Sequence, residues 1–283
     1  MSQPKIILHG GFFSEADTTD DVKKNKQNAL TIIIRKAYDF LQDHSALETT
    51  VYAVELLEDC DLFNAGIGSQ IQRDGKIRMS ASLMDGISLR FSGVINIEDV
   101  KNPIRVAERL LAVDDRVLGG EGALQFARSH GFGYFNTETA QRKKEYEAKL
   151  SSAGLGTVGC VVLDVKGNLA AATSTGGKGF EIPGRVSDSS TVAGNFANAV
   201  CGVSCTGVGE DIVSGAVAAK IVTRVTDGMS VNEACSKTFA ELKPFDGFAG
   251  AIVLDNKGNF FHIESHPRMV FASFDGDRVD MFD

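Results

Sequence analysis

The sequence predicts an α+β protein in which antiparallel sheets are covered by helices. Two segments, 161–175 and 251–265, each contain an apolar strand, a tight turn with glycine after lysine or asparagine-lysine, and a second strand. This pattern is typical of a β-hairpin. The helical segments are grouped, at 20–57 and at 210–242, with strands before and between them. Grouped helices and hairpins together favour the α+β class.

The first hundred residues are predicted to begin with a short buried strand at 5–9 and a helix at 20–42, where apolar residues recur with helical spacing. A second helix over 45–57 has Ser45 as its N-cap, and Glu48 completes a capping box. The further predicted elements are a glycine-punctuated loop at 59–69, strands at 76–84 and 87–97, a helix from Pro103 to about 113, and helices at 210–224 and 231–242.

Composition limits the possible functions. The 283 residues are 43% hydrophobic and 23% charged, as expected for a single large globular domain. A net charge of -8 argues against a nucleic-acid partner, and no apolar run approaches the roughly 18 residues of a membrane span. The amino-terminal apolar stretch is too short for a signal peptide, and five cysteines form no paired framework. We therefore expect a cytoplasmic protein.

Three patterns resemble ligand sites but are better explained structurally. Residues 154–159 match the dinucleotide fingerprint G-x-G-x-x-G, yet a strand follows where that motif requires a helix N-terminus. Cys201 and Cys205 lie four apart in a strand-like stretch without a second pair, and His262 and His266 share that spacing without a helix. Neither a dinucleotide site nor a zinc site is predicted.

A more coherent set of residues lies in three turns. Hydroxyl groups end the first hairpin at 172–177, Arg185 and Asp188 stand three apart in a turn, and residues 204–210 lead from a strand into a helix. Arginine can hold a carboxylate by two parallel hydrogen bonds, aspartate can hold an ammonium group, and amides at a helix N-terminus can stabilise an oxyanion. These turns predict a zwitterion site, although a surface salt bridge and an ordinary turn remain alternatives.

These turns also carry a family resemblance. The sequence resembles the plant-type asparaginase and isoaspartyl peptidase branch of the N-terminal nucleophile hydrolases. The matching runs are G-T-V-G at 156–159, L-D-x-x-G-N-L-A-A-A-T-S-T-G-G at 163–177, P-G-R-V-x-D-S at 183–189 and S-C-T-G-x-G-E at 204–210, with similar segments at 9–11, 57–68 and 84–86. The resemblance implies a four-layer αββα sandwich, assembled as a homodimer of αβ units.

It also implies that the chain cleaves itself between Gly156 and Thr157. The products are an α subunit of residues 1–156 and a β subunit of residues 157–283, with 131–156 as a flexible linker whose charged run is either a solvated helix or loose chain. Thr157 then becomes the nucleophile. Its free α-amine, with an unperturbed pKa of about 7.7–8.0, can take the hydroxyl proton, so no histidine base is needed.

The family pattern assigns roles to further residues. Thr175 hydrogen-bonds the Thr157 hydroxyl, Asn64 orients the nucleophile, and Thr206 with the Gly207 amide forms the oxyanion hole.

The same pattern predicts the substrate contacts and an ion. Arg185, helped by Gly209, clamps the α-carboxylate of the substrate, and Asp188 binds its α-ammonium group. No cofactor is expected for catalysis. A structural sodium ion is implied, bound by the backbone carbonyls of Leu57, Glu58, Cys60, Phe63, Ala65 and Ile67.

The implied reaction is hydrolysis of the side-chain amide of L-asparagine and of β-aspartyl dipeptides, through a β-aspartyl ester on Thr157. Two alternatives are a glycosylasparaginase-like amidase and an unprocessed relative that binds amino acids or a partner without catalysis. The sequence departs from the family pattern at Ser187, where glycine is usual, and at Ser190, where proline is usual. It is also bulkier at 12–13 and at 246–250, which we expect to reshape the pocket.

Overall fold

A computed structural model of the chain describes residues 3–13, 19–148, 156–245, 247–266 and 269–282. Within these ranges the chain forms two β-sheets with helices packed against them, so the α+β prediction is confirmed. None of the helices in the described ranges combines the length and apolar character that crossing a bilayer requires.

The large sheet has eight strands in the order β12-β11-β1-β5-β6-β2-β3-β4. Its neighbours are antiparallel except for the pair β3 and β4, which is parallel. The strands are β1 (Lys5–Phe12), β2 (Met79–Asp85), β3 (Arg90–Ile97), β4 (Val117–Gly119), β5 (Val158–Leu163), β6 (Leu169–Thr175), β11 (Met269–Phe274) and β12 (Val279–Met281). Strands from both ends of the chain therefore lie side by side.

The small sheet has four antiparallel strands in the order β10-β9-β8-β7. They are β7 (Asn195–Ala197), β8 (Cys201–Gly207), β9 (Ala249–Asp255) and β10 (Phe260–Glu264). Strand β8 lies against β5 and β6 of the large sheet. The two predicted hairpins are confirmed as β5 with β6 and β9 with β10.

The helices are α1 (Asp20–Leu41), α2 (Ala46–Glu58), α3 (Pro103–Leu110), α4 (Gly120–Ser129), α5 (Ala140–Glu147), α6 (Gly209–Gly215), α7 (Val217–Thr226) and α8 (Val231–Ala240). Helices α1, α2 and α3 pack on the large sheet, and α7 and α8 pack on the small one. The predicted capping box of α2 is present, with Ser45 and Glu48 bonded to each other's backbone amides. Each sheet thus buries an apolar face against its own helices.

Several elements differ from the sequence prediction. Residues 117–129 form β4 and α4, and residues 269–281 form β11 and β12; none of these four was predicted. The charged run at 141–147 lies in α5, which has no buried residue, so it is a solvated helix rather than loose chain. Residues 149–155, which include part of the predicted linker and of the G-x-G-x-x-G motif, lie outside the described residues.

The helix predicted over 210–224 is wrong in one respect, because it is two helices. The break is at Ala216, whose backbone is left-handed with φ 48°. Beyond the break, the amides of Ala218 and Ala219 donate to the carbonyls of Ala193 and Val192. These bonds satisfy amide groups at the start of α7 and set its direction along the small sheet. Helix α6 thereby keeps a separate direction.

The left-handed alanine leads to a stability prediction. Ala216→Gly should raise the free energy of unfolding by about 0.5–1 kcal/mol, because glycine adopts this conformation without a Cβ penalty. Ala219→Gly is the matched control in the helical part of α7, where glycine should cost about 1 kcal/mol. Urea unfolding measures both. A loss of stability in Ala216→Gly would contradict the strain at this position.

Candidate functional site

Thr157 lies at the end of β5 in the middle of the large sheet and is only 6% exposed. In the β5–β6 hairpin Val158 pairs with Ser174, so Thr157 stands opposite Thr175. The Thr157 hydroxyl donates to Oγ1 of Thr175 over 3.2 Å. The Thr175 hydroxyl oxygen also accepts the amide of Gly177 over 3.2 Å, which fixes its position. The hairpin register therefore brings two of the predicted site hydroxyls together.

The carbonyl oxygen of Gly156, just before Thr157, is held by side-chain donors. Asn64 Nδ2 donates to it over 2.6 Å, and Thr175 Oγ1 donates over 3.4 Å. Asn64 is itself oriented, because its Oδ1 accepts the Gln70 amide over 3.0 Å and its backbone carbonyl accepts the amide of Gly176 over 2.9 Å. Donors on a carbonyl oxygen polarise the carbon for attack.

Gly11 explains why the first strand contains a glycine pair. A Cβ at this position would lie 2.6 Å from Cα of Gly156 and 2.9 Å from the Thr157 nitrogen, and the φ of Gly11 is +86°. Only glycine lets β1 approach the peptide between Gly156 and Thr157 so closely. The strand therefore extends past the predicted residues 5–9, to Phe12, with an irregular register after His9.

Thr206 and Gly207 lie on β8, on the facing sheet. A Cβ on Gly159 would clash with Ser204 Oγ, and one on Gly202 would lie 2.6 Å from Val161 Cγ1. The two strands therefore run past each other in opposite directions, two residues at a time. Continuing that spacing places Thr206 level with Thr157. Gly207 has φ +135°, and its Cβ position is filled by the carbonyl of Phe248, so glycine is required there as well.

Arg185, Asp188 and Gly209 also come together. A Cβ on Gly209 would lie 2.7 Å from Asp188 Oδ1 and 2.8 Å from Arg185 Nη2. The Arg185 guanidinium pairs with a residue that was not assigned a role, Glu210, through Nε at 2.8 Å and Nη2 at 3.1 Å. This pair lowers the pKa of Glu210 to about 2. The Arg185 side chain is only 14% exposed, so the guanidinium is held rigidly.

Asp188 is buried, at 3% exposure, at the start of a 3₁₀ turn over Asp188–Ser190. Burial raises the pKa of its carboxyl to about 7, and nearby Arg185 opposes that shift. Oδ2 has no hydrogen-bond partner within the part of the chain that the structure describes. A buried acceptor without a donor is costly, so this oxygen is suited to a cationic ligand.

The departures from the family pattern have structural explanations. Ser187 has φ -82° and ψ 164°, which is extended backbone, so serine causes no strain and the expected displacement of Asp188 does not arise from its φ. Phe12 and Phe248, two of the bulkier residues, contact each other edge to face with ring centroids 4.5 Å apart. Phe12 also fills the space beside Gly250. These substitutions therefore pack together, while Asp246 lies outside the described residues.

A buried polar cluster lies beside the site and was missed at the sequence level. His9 Nε2 is 2.8 Å from Ser204 Oγ, which is 2.7 Å from Thr173 Oγ1. Burial lowers the pKa of His9 to about 3, so its imidazole is neutral. The position of His9 directly before the glycine pair is the only sequence signal that could have found it. The expectation that no histidine acts as the base fits a ring that bonds to the sheet.

The loop after α2 was predicted to bind sodium. It winds tightly, because a Cβ on Gly66 would clash with the carbonyl of Glu58, and one on Gly68 with that of Phe63. Backbone carbonyls are oxygen ligands of the kind that hard cations prefer. Among the described residues, no group of three or more His, Cys, Asp or Glu is placed to hold a metal ion, so only such carbonyls offer a site there. The predicted ligand set therefore fits in chemistry.

The other patterns have structural roles. Cys201 and Cys205 are free, buried thiols in β8, and burial raises the pKa of both. His262 stacks on Phe271, with ring centroids 3.9 Å apart, and His266 stacks on Phe248. These contacts agree with the expectation that neither pair binds zinc.

Comparison with known proteins places this site in a family. The family model described as asparaginase matches residues 2–152 and 134–282. An isoaspartyl peptidase/L-asparaginase of a Nostoc species is 42% identical over 298 residues, covering 98% of this chain and 93% of the relative. An isoaspartyl peptidase of Escherichia coli is 36% identical, covering 92% and 89%. A plant-type L-asparaginase of Pyrococcus furiosus is 35% identical, covering 94% and 95%. These relatives confirm the predicted resemblance and the prediction of an enzyme, an amidohydrolase. The chain belongs to the asparaginase family.

Proposed function

We propose that the chain is a self-processing threonine amidohydrolase that cleaves the side-chain amide of L-asparagine and the isopeptide bond of β-aspartyl dipeptides. One observation carries the proposal: the Thr157 hydroxyl, the Thr175 hydroxyl and the Asn64 amide converge on the peptide between Gly156 and Thr157. The names of the relatives, isoaspartyl peptidase and L-asparaginase, support the substrate class.

Maturation begins with Thr157 Oγ attacking the carbonyl carbon of Gly156. The carbon–nitrogen bond breaks, the hydroxyl proton moves to the departing nitrogen, and Gly156 becomes an ester on Thr157. Asn64 stabilises the negative charge that develops on the carbonyl oxygen. Water then hydrolyses the ester, leaving a carboxylate on Gly156 and a free α-amine on Thr157. The cut gives the subunits 1–156 and 157–283.

In turnover, the neutral amine of Thr157 takes the proton of its own hydroxyl while the oxygen attacks the substrate amide carbon. The Thr206 side chain and the Gly207 amide stabilise the oxyanion. The ammonium of Thr157 then gives its proton to the leaving ammonia or amino acid. Water hydrolyses the β-aspartyl ester and restores the Thr157 hydroxyl, with L-aspartate as the product.

The substrate is held by its two charged groups. Arg185, with Gly209 beside it, binds the α-carboxylate, and Glu210 keeps the guanidinium in place during this contact. Asp188 binds the α-ammonium group through the carboxylate oxygen that lacks a partner. Binding at both ends places the side-chain amide against Thr157, which lowers the entropic part of the barrier.

Further parts of the proposal concern the assembly. The two facing sheets and their helices support an αββα sandwich, and we propose a homodimer of αβ units. Sodium, held by the carbonyls of the loop at 57–67, would supply fixed positive charge that keeps this loop, and with it Asn64, in place. All five cysteines are free thiols, which supports a cytoplasmic location.

Intact-mass analysis and an ammonia-release assay test the proposal together. We expect two fragments that separate before Thr157, and release of ammonia from L-asparagine. Persistence of one full-length species that leaves asparagine and β-aspartyl dipeptides intact would favour an amino-acid-binding protein. Hydrolysis of a glycosylated asparagine in preference to both would instead favour a glycosylasparaginase-like amidase.

The Asp188 carboxyl gives a pH prediction. Because burial raises its pKa to about 7, the carboxylate that attracts an ammonium group is lost as pH falls through that value. The KM for L-asparagine should therefore fall about tenfold between about pH 6 and about pH 8. Steady-state kinetics measures this, with Asp188→Asn as the control whose weaker binding should not follow pH over this range. A KM of the wild-type enzyme that is flat across this range would remove Asp188 from ammonium binding.

A further inference from the structure

Asn96 occupies an irregular position in the large sheet, next to the site. In the β2–β3 pair, Met79 is opposite Ile97 and Ala81 is opposite Val94, so β3 carries one extra residue across from Ser80. Asn96 lies in this bulge with φ 53°, in the left-handed region. Bulges are frequent beside active sites, where they redirect a side chain. A residue other than glycine in this conformation points to a requirement for its side chain.

Both polar groups of Asn96 reach the site region. Its backbone amide donates to Ser80 Oγ over 3.0 Å, and Ser80 stands opposite Thr175 in the neighbouring strand pair. Its side-chain Nδ2 donates to the backbone carbonyl of Arg185 over 3.0 Å. Asn96 is buried, with 9% exposure, so this contact is shielded from water. The bulge therefore links the strand of Thr175 to the turn that carries Arg185.

The Arg185 residue is fixed at both ends. Asn96 holds its carbonyl on the large sheet, and Glu210 holds its guanidinium on α6. The adjacent Gly184 has φ +91° and no atoms near its Cβ position, so the turn has little packing of its own on that side. Without the Asn96 contact, the base of a long side chain would be free to shift, and small shifts of a binding group weaken it.

We propose that Asn96 is a positioning residue that sets the reach of Arg185 toward the α-carboxylate of the substrate; this inference rests on the proposed function. Asparagine meets two requirements at once, since it tolerates the left-handed backbone and supplies an amide donor. Glycine meets only the first requirement. Aspartate keeps the shape but presents an acceptor to the Arg185 carbonyl.

The test uses Asn96→Gly and Asn96→Asp in the full chain, with kinetics on L-asparagine. Both variants should self-cleave completely and should raise KM about tenfold, the loss of one buried hydrogen bond, with kcat within about twofold of wild type. Leu89→Gly is the matched control, because Leu89 is also left-handed, lies on the same hairpin and is 61% exposed. Its kinetics should equal those of wild type.

A double-mutant cycle with Arg185→Gln separates positioning from general disturbance. If Asn96 acts through Arg185, Asn96→Gly should change kcat/KM less than about twofold in the Arg185→Gln background. The same loss in both backgrounds, a loss confined to kcat, or an unchanged KM would overturn the inference. A wild-type chain that is inert toward L-asparagine and β-aspartyl dipeptides would overturn the proposed function itself, which is a distinguishable result.

Discussion

Thr157→Ala should be purified as a single chain of 283 residues and should release no ammonia from L-asparagine above background. The variant lacks the oxygen that attacks Gly156 and, in the mature enzyme, the substrate, so both steps fail for one reason. Removing a nucleophile that acts as part of a unit lowers kcat by at least about 10⁴-fold. Intact-mass analysis and the ammonia assay measure the two losses separately.

Thr157→Ser is the matched control for this variant. Serine keeps the hydroxyl and, once the chain is cut, the α-amine, so it should self-cleave and turn over substrate, both more slowly than threonine. The β-methyl of threonine stiffens χ1, and its loss lets the hydroxyl leave the position facing Thr175. Ammonia release by Thr157→Ala would remove Thr157 from the mechanism.

Gly11→Ala should also stop maturation, although residue 11 takes no chemical part in it. The new Cβ would lie 2.6 Å from Cα of Gly156, and the φ of +86° is unfavourable for alanine. The peptide next to Thr157 must therefore move away from Asn64 and Thr175. We expect full-length chain to persist after prolonged incubation, with a free energy of unfolding reduced by about 1–3 kcal/mol.

Gly122→Ala serves as the control for this substitution. Gly122 lies in α4, has no atoms within 4 Å of its Cβ position and has no left-handed backbone. Alanine there should leave cleavage unchanged and should stabilise the protein by up to about 1 kcal/mol. Normal cleavage of Gly11→Ala, followed by mass over several days, would show that the close approach of β1 does not control maturation.

The sequence predicted best those elements whose stability is local. The capping box of α2 is formed by side chains three residues apart, and the hairpins β5–β6 and β9–β10 are set by their turns. It predicted less well where distant segments decide the structure. The break at Ala216 depends on carbonyls of Val192 and Ala193, and β4 depends on pairing with β3. Neither contact leaves a pattern within its own segment.

The site shows the same division. Motifs identified Thr157, Thr175 and Asn64, which the structure brings together, because each lies in a recognisable run. The partner of Arg185 was not identified, although Glu210 lies within a quoted motif, since a glutamate after glycine has many roles. Asn96 gave no signal, because a bulge arises from the register of two strands and cannot be read from either one.

The order of the large sheet affects what happens after the chain is cut. Strand β1, from the amino-terminal piece, lies between β11 and β5 of the carboxy-terminal piece, and β6 of that piece lies beside β2 of the other. The two polypeptides would thus be woven into one hydrogen-bonded layer, and neither could leave without dismantling it. Folding must consequently be finished before the break occurs, and recovery of the severed enzyme from denaturant becomes a second-order reaction that slows on dilution.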